Sequence, residues 1–399
     1  MSFANGGRIV TDGLVLSLDA SDKNSLADEP VINLIGTNPI PVSTSGFLFT
    51  GPTSYTMSYN ATEQAMEFET DNTAVWGWYF YNNSLNSTPL STSSLYTTSF
   101  EWKAGPRNTY TSSLSHQIIT AEGTSSSLST TITTNPSSQT SSYAKVSYTF
   151  TPASAGVNGN RQYRIIGQAF ASGSSRIHLF WRKLQLEQND HSTTFVSGSR
   201  NTWTDLSGNN TNGTFINNPT YSSASNGTIR FNGTSSNYID TGKTAVQLGV
   251  YDADYTFDAW VYPTDFNPAG NNDRPMFGTD GQATRQGLHL VFRNGTIYQG
   301  HYAADFGAGT GTLNAWNNIC YTYRVSSGLA SIYKNGIFQG SGIIGSFIGT
   351  TNILIGRWGG GGNSYFTGNG SIYKIYNRTL SASEVLQNYN ASKSRFNLK

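Results

Sequence analysis

A single cysteine, Cys320, occurs in 399 residues, so no disulfide forms within the chain, and neither a stapled small domain nor a multi-cysteine metal site is available. In "NNICYTYRV" it reads as a buried strand thiol. Charge is equally scarce. Lys, Arg, Asp and Glu make up 12% of the residues, about half the usual share of a soluble domain. The 24 basic residues face 23 acidic ones without a basic run. Counterion release from a nucleic-acid backbone needs a basic footprint, so nucleic acid is set aside as a partner. No stretch approaches the ~18 apolar residues that cross a bilayer, and "MSFANGGRIVTDG" lacks the apolar core of a signal peptide. The expectation is synthesis in a cytoplasm without membrane insertion. The triplets at Asn212, Asn226, Asn232 and Asn294 then reflect turn chemistry, not glycan acceptors.

Catalytic signatures are missing too. There is no G-x-S-x-G elbow and no H-E-x-x-H, and Gly242-Lys243-Thr244 lacks the upstream glycine of a phosphate loop. The five histidines, 116, 178, 191, 289 and 301, are scattered. Only His289 lies in a clear strand, where a satisfied structural histidine is the default.

What remains is apolar and hydroxyl-rich: 36% hydrophobic and 13% aromatic residues supply packed cores, while Ser, Thr, Asn and Gly supply uncharged polarity. Nearly every periodic segment has period two. "TFDAWVYP", "LHLVFRNGTIYQG", "NNICYTYRV" and "ASIYKNGIFQG" alternate as half-buried strands. Asn294-Gly295 and Asn335-Gly336 predict two antiparallel hairpins, because a type I′ turn needs positive φ at both centres. "GLVLSLDASDKNSL" predicts a strand with Leu14, Leu16 and Leu18 on one face, followed by a turn. "SASEVLQNYNASK" is the exception. Ser381 with Glu384 makes a capping box, and Val385, Leu386 and Tyr389 are spaced for a short helix closing the chain.

Residues 31–194 differ in texture. Hydroxyl-rich alternating runs such as "STPLSTSSLYTTSFEW" suit exposed antiparallel strands, and "MEFETDNTAVWGWYFYN" with "RIHLFWRKLQLEQ" supplies the apolar strands of a second β domain.

"WTDLSGNNTNGT", "GTIRFNGTSSNYIDTG", "YTFDAWVYPT", "WNNICYTYRVSSGLASIYKNGIFQG", "ILIGRWGG" and "KIYNRTLSASEVLQNYNA" resemble, in this order, the concanavalin A-like, laminin G-like sandwich modules common in bacteriophage structural proteins. "GGRIVTDGLVLSLDASDKNS" looks like the first strand of the same module, whose following loop is replaced here by about 165 residues, the size of one domain. "HLFWRKLQLEQNDHSTTFV" is similar to the closing strand of jelly rolls that resemble carbohydrate-binding modules. The fold class that follows is all-β, with two antiparallel β-sandwiches, one inserted in the other, and a short C-terminal helix. Residues 1–30 and 195–399 form the laminin G-like sandwich and 31–194 the inserted jelly roll. The resemblance implies a non-enzymatic virion protein on a capsid, neck or tail, a homo-oligomer contacting other virion proteins and host-surface polysaccharide. One sandwich fold serves lectins, hydrolases and structural modules alike, so role follows only from the site.

Sugar binding calls for exposed rings flanked by amides and hydroxyls. Two places offer them: Trp358 and Tyr365 either side of a four-glycine loop, with Asn363, and the aromatic strand carrying Trp76 and Trp78. A depolymerase would use the alternating carboxylates Glu67, Glu69 and Asp71 as an acid and nucleophile. A protein of pure assembly would use neither. No cofactor is expected apart from a structural calcium, for which Asp252 and Asp254 are the candidate ligands. Ser371-Ile372 replaces the acidic pair that related modules often carry before the last strand, which argues against a cation there.

Overall fold

Leu14–Asp19 finds its partner at the far end of the sequence. In a computed structural model it runs antiparallel to Thr367–Tyr376, with Leu16 opposite Ile375 and Leu18 opposite Tyr373. The structure describes residues 8–26, 29, 31–32, 34, 56–70, 78–81, 93–109, 114–119, 132–134, 142–151, 162–167, 176–189, 191–196, 199–217, 219–223, 225, 227–233, 237–266, 273–359 and 364–398. Two units are present, residues 1–30 with 201–399, and residues 31–200.

Among the described residues the first unit contains two eight-stranded antiparallel sheets and a short two-stranded one. One runs Thr220–Ser222, Thr228–Asn232, Thr367–Tyr376, Tyr255–Pro263, Asn317–Arg324, Leu329–Lys334, Ile337–Ile343, with Leu14–Asp19 also on Thr367–Tyr376. The other runs Thr202–Trp203, Gly213–Ile216, Tyr238–Thr244, Asn352–Ile355, Asp273–Gly278, Leu288–Arg293, Thr296–His301, Asp305–Thr310. Alternating residues of both sheets, among them Phe257, Tyr321, Ile332, Phe277, Leu290 and Ile297, meet in one buried cluster. Both hairpin turns form, with positive φ at Asn294 and Gly295 (49° and 83°) and at Asn335 and Gly336 (52° and 75°). A register shift between Leu14 and Leu16 corrects one expectation. The bulge turns Leu14 to the outer face, beside Val10, Cys320 and Tyr376, while Leu16 and Leu18 enter the main core.

The helix Ala382–Ser392 starts with the expected reciprocal bonds between Ser381 and Glu384. It covers the outer face of the first sheet, where Val385 packs near Cys320 and Tyr376, and Tyr389 stacks on Trp260 at 5.7 Å. On the same sheet Lys374 Nζ donates to Asp258 Oδ2 (3.1 Å), and Asn318 Nδ2 to Asp258 Oδ1 (2.5 Å), all three residues buried. Cys320 is buried as expected, and burial pushes its thiol well above the usual range.

The second unit contains a five-stranded sheet ordered Thr56–Asn60, Ala65–Thr70, Ile177–Glu187, Tyr96–Ala104, Ala144–Phe150, and a four-stranded sheet ordered Trp78–Tyr81, Gln162–Gly167, Leu114–Ile119, Ile132–Thr134. Met66, Phe68, Trp102, Leu179 and Trp181 make the core on one face of the five-stranded sheet. Val31–Ile32 pairs with Ser199–Arg200, so the two ends of the unit are tied to each other and it ends at Arg200.

Candidate functional site

On the Leu288–Arg293 strand Leu288, Leu290 and Phe292 enter the core, which sends His289, Val291 and Arg293 to the opposite face. His289 stands opposite Gly300, and Gly300 opposite Asp305, along one row of three strands. Gly300 is what lets the outer two residues touch. A Cβ there would lie 2.0 Å from His289 Nε2 and 2.6 Å from Asp305 Oδ1. Without it, His289 Nε2 and Asp305 Oδ1 bond across the gap at 2.8 Å. Asp305 Oδ2 accepts from Arg293 Nη1 (2.9 Å), and Arg293 also forks onto Asp273 through Nε (2.7 Å) and Nη2 (3.0 Å). Burial works to raise the Asp305 carboxyl, but the bonds and charges of His289 and Arg293 outweigh it and hold it at about 2. Arg293 lies over the Tyr298 ring at 4.7 Å.

A second cation and ring meet farther across the same face. Arg357 lies 4.9 Å from the centre of the Tyr238 ring and donates to Asp280 through Nη1 (3.1 Å) and Nη2 (3.0 Å). Arg357–Trp358 pairs with Ser364–Tyr365 as a short hairpin. Gln282 Nε2 donates to the Gly359 carbonyl at 3.0 Å.

Trp358 does not project into solvent as its flanking glycines led us to expect. It is 7% exposed and packs on the His289 ring with centroids 4.6 Å apart. Gly278 makes the room, since a Cβ there would meet Trp358 Cα and Cβ at 2.9 Å. Tyr365 is half-buried, and its carbonyl accepts from Arg274 Nη1 at 3.4 Å. Asn363, Trp76 and Asp71 lie outside the described residues, as does the side chain of Trp78.

In the second unit Glu67 and Glu69 share the face opposite the core, as their alternation requires. Neither is free. Glu67 takes Asn60 Nδ2 (2.8 Å), His178 Nε2 (2.7 Å) and Arg107 Nη2 (3.2 Å). Glu69 is forked by Arg107 and paired with Arg176 at 3.3 Å. Burial raises the Glu67 carboxyl, and its three partners more than reverse that; for Glu69 the Arg107 bond is the main influence. Both therefore lie below the ordinary carboxylate range. The Arg107 backbone N–H donates to His178 Nδ1 (3.2 Å), so the imidazole gives its Nε2 proton to Glu67 and keeps no free nitrogen. A recess of about 290 Å3 lined by Ser99, Phe100, Glu101, Lys145, Lys183, Thr194 and Phe195 has no counterpart among the sequence motifs. It is assembled from residues far apart in the chain.

The calcium candidates do not fit a cation. Asp254 spends one carboxylate oxygen on the Val325 N–H (2.8 Å) and the other on the Thr379 hydroxyl (2.9 Å), while Asp252 is exposed. No three acidic, histidine or cysteine groups converge among the described residues. Near Ser371 an oxygen cage is filled by a guanidinium. Arg395 donates to the carbonyls of Ser225 (3.0 Å) and Gly227 (2.8 Å), to Asp19 (2.5 Å) and to the Ser371 hydroxyl.

No curated protein matches the chain. Among solved structures it is similar to the binding domain of Paraclostridial Mosquitocidal Protein 1, with 19% identity over 48% of this chain and 50% of that one, TM-score 0.38. It is also similar to domain 4 of AbnA, a GH43 extracellular arabinanase from Geobacillus stearothermophilus, in complex with arabinotriose: 16% identity, 47% and 92% coverage, TM-score 0.37. A third is the Ruminococcus gnavus IT-sialidase CBM40 bound to alpha2,3 sialyllactose, with 16% identity, 40% and 94% coverage, TM-score 0.33. This chain thus spans about half the length of the first of these structures. Residues 231–386 match the family model of the concanavalin A-like lectin/glucanases superfamily, and the sandwich they help to build is a concanavalin A-like, laminin G-like domain.

Proposed function

We propose that the protein binds carbohydrate without cleaving it, and that the outer face of the Leu288–Arg293 sheet is the binding surface. The observation that carries this reading is the pair of tyrosine and guanidinium platforms on that one face. Arg357 over Tyr238 is held by Asp280, and Arg293 over Tyr298 is held by Asp305. The guanidinium laid over each ring offers sugar a flat cationic surface and donates to its hydroxyls, the carboxylate that holds it accepts from them, and the tyrosine beneath, Tyr298 resting in turn on Gly307, keeps the guanidinium in place. Trp358 and His289 lie buried on the same face and give it a rigid base.

The chemistry of the acids supports binding over hydrolysis. A glycosidase needs one carboxyl whose proton is retained near neutral pH, opposite a free carboxylate. Glu67, Glu69 and Asp305 are all held lower than usual by cations and donors. His178, His289 and His301 each have both ring nitrogens engaged, so none offers a free general base.

The setting we infer is the surface of a virion, where the protein would contact a host-envelope polysaccharide. This rests on the resemblance of the sequence to phage structural modules and on its charge-poor, hydroxyl-rich composition, which suits contacts that salt weakens little. Incubating the full chain with bacterial surface polysaccharides tests the reading when retention and new reducing ends are both measured. Retention without reducing ends is the expected result. Reducing ends that disappear in Glu67→Gln or Glu69→Gln would establish a depolymerase instead.

A further inference from the structure

Ile337–Ile343 ends the first sheet of the laminin G-like unit, paired with Leu329–Lys334 on one side only. Exposed sheet edges are templates for unwanted pairing, and soluble proteins normally blunt them with charge or proline. None of the seven residues "IFQGSGI" is charged or proline. A bulge between Ile332 and Tyr333 leaves Gly340 to Ile343 in regular register. The edge also carries the most prominent apolar surface described. Ile337, Phe338 and Ile343 are 66%, 53% and 72% exposed, with Leu329 at 37% beside Ile343 and Leu386 at 44% against Gly336.

We propose that this edge is the dimer interface of the protein, with a second copy adding its own Ile337–Ile343 antiparallel about a two-fold axis through Ser341. Gly340 and Gly342 face inward onto Phe306 and Ala308, which leaves Ser341 and Ile343 on the outer side. Phe338 is turned to that side by the bulge and packs edge-on against Tyr333 at 5.5 Å. The two-fold therefore places Ile343 of each copy beside Phe338 of the other on one face, an isologous contact in which each apolar residue is answered. No like charges meet at the axis, because the strand has none. A continuous sheet would then run through both copies.

Sedimentation velocity on the full chain across a concentration series tests this. The wild type should be a dimer at micromolar concentration, and Ile343→Lys should weaken dimerisation by about tenfold or more without lowering the melting temperature. Ser341→Cys gives a second, independent readout. Cys320 is buried, so under mild oxidation the new thiol should join two copies covalently, whereas Val246→Cys, also at an exposed position, should not. A wild type that stays monomeric at about 100 µM, a dimer that Ile343→Lys leaves intact, or crosslinking no faster at position 341 than at position 246 would overturn the proposal.

Discussion

Mild acid should weaken the laminin G-like sandwich through one residue. His301 is fully buried between two partners, with Nδ1 donating to the Gly345 carbonyl (2.5 Å) and Nε2 accepting from the Tyr255 hydroxyl (2.7 Å). Tyr255 in turn accepts from Gln299 Nε2 at 3.0 Å. The rings of Tyr255, Tyr323 and Phe347 surround it at 5.8, 5.2 and 5.6 Å. The neutral imidazole satisfies both bonds, and an added proton would face a hydroxyl already placed to donate. Burial lowers its pKa from 6.5 to about 4, against a smaller opposing pull from the Gly345 carbonyl. Because the folded chain takes the proton less readily than the unfolded one, this contribution is complete above pH 6.5 and is lost as pH falls towards 4. A shift of this size corresponds to roughly 3 kcal/mol, most of it lost between pH 7.5 and 4.5. The carboxylates cited above are held low, so their own losses belong to more acidic conditions. Hydrogen exchange of Thr296–His301 amides at several urea concentrations, corrected for the intrinsic pH dependence of exchange, reports the local stability. The wild type should lose about 2 to 3 kcal/mol between those pH values, while His301→Gln, less stable at neutral pH, should change little over the same window. Equal losses in both proteins would refute the assignment.

Three further outcomes follow from the packing. Trp358→Ala removes a ring buried against His289 and should cost about 3 to 5 kcal/mol, visible as a lower urea midpoint; a midpoint unchanged would mean the ring is free in solution. Lys374→Met alone leaves Asp258 buried without its cation and should cost about 3 to 5 kcal/mol, and the double change with Asp258→Leu should recover much of that in the same urea titration. Gly300→Ala forces a methyl between His289 and Asp305, so it should destabilise by about 1 to 3 kcal/mol, and the loss of stability that wild type shows between pH 4 and 2, as the Asp305 carboxyl protonates, should shrink in the variant.

Local signals decided what was legible in the sequence. Asn294-Gly295 and Asn335-Gly336 declared their hairpins because positive φ is a property of two adjacent residues, and Ser381 with Glu384 declared the helix because the capping box closes within one turn. That Leu14–Asp19 belongs to the C-terminal sandwich was expected from the resemblance, yet its bulge was not, since nothing in "GLVLSL" marks where the register slips. Trp358 misled for a related reason. Its glycine-rich neighbours suggested a displayed ring, but its environment is set by the missing side chain of Gly278, 80 positions away in the chain. The Glu67 and Glu69 strand looked available because Arg107, Arg176 and His178 come from distant strands and loops. The platforms of the proposed binding face share this character: Tyr238 and Arg357 are separated by more than a hundred residues, and only the fold brings them together.

The binding face is tested most directly by calorimetric titration of the full chain with a retained polysaccharide, comparing wild type with the double variant Tyr238→Ala, Tyr298→Ala. Both tyrosines are half-buried on the outer face and neither belongs to the core cluster, so the variant should melt within a few degrees of wild type. Its affinity should fall by about 2 kcal/mol or more, close to 30-fold, from the loss of the two rings that hold Arg357 and Arg293 in place. Affinity preserved in a folded double variant would place the carbohydrate elsewhere and contradict the account.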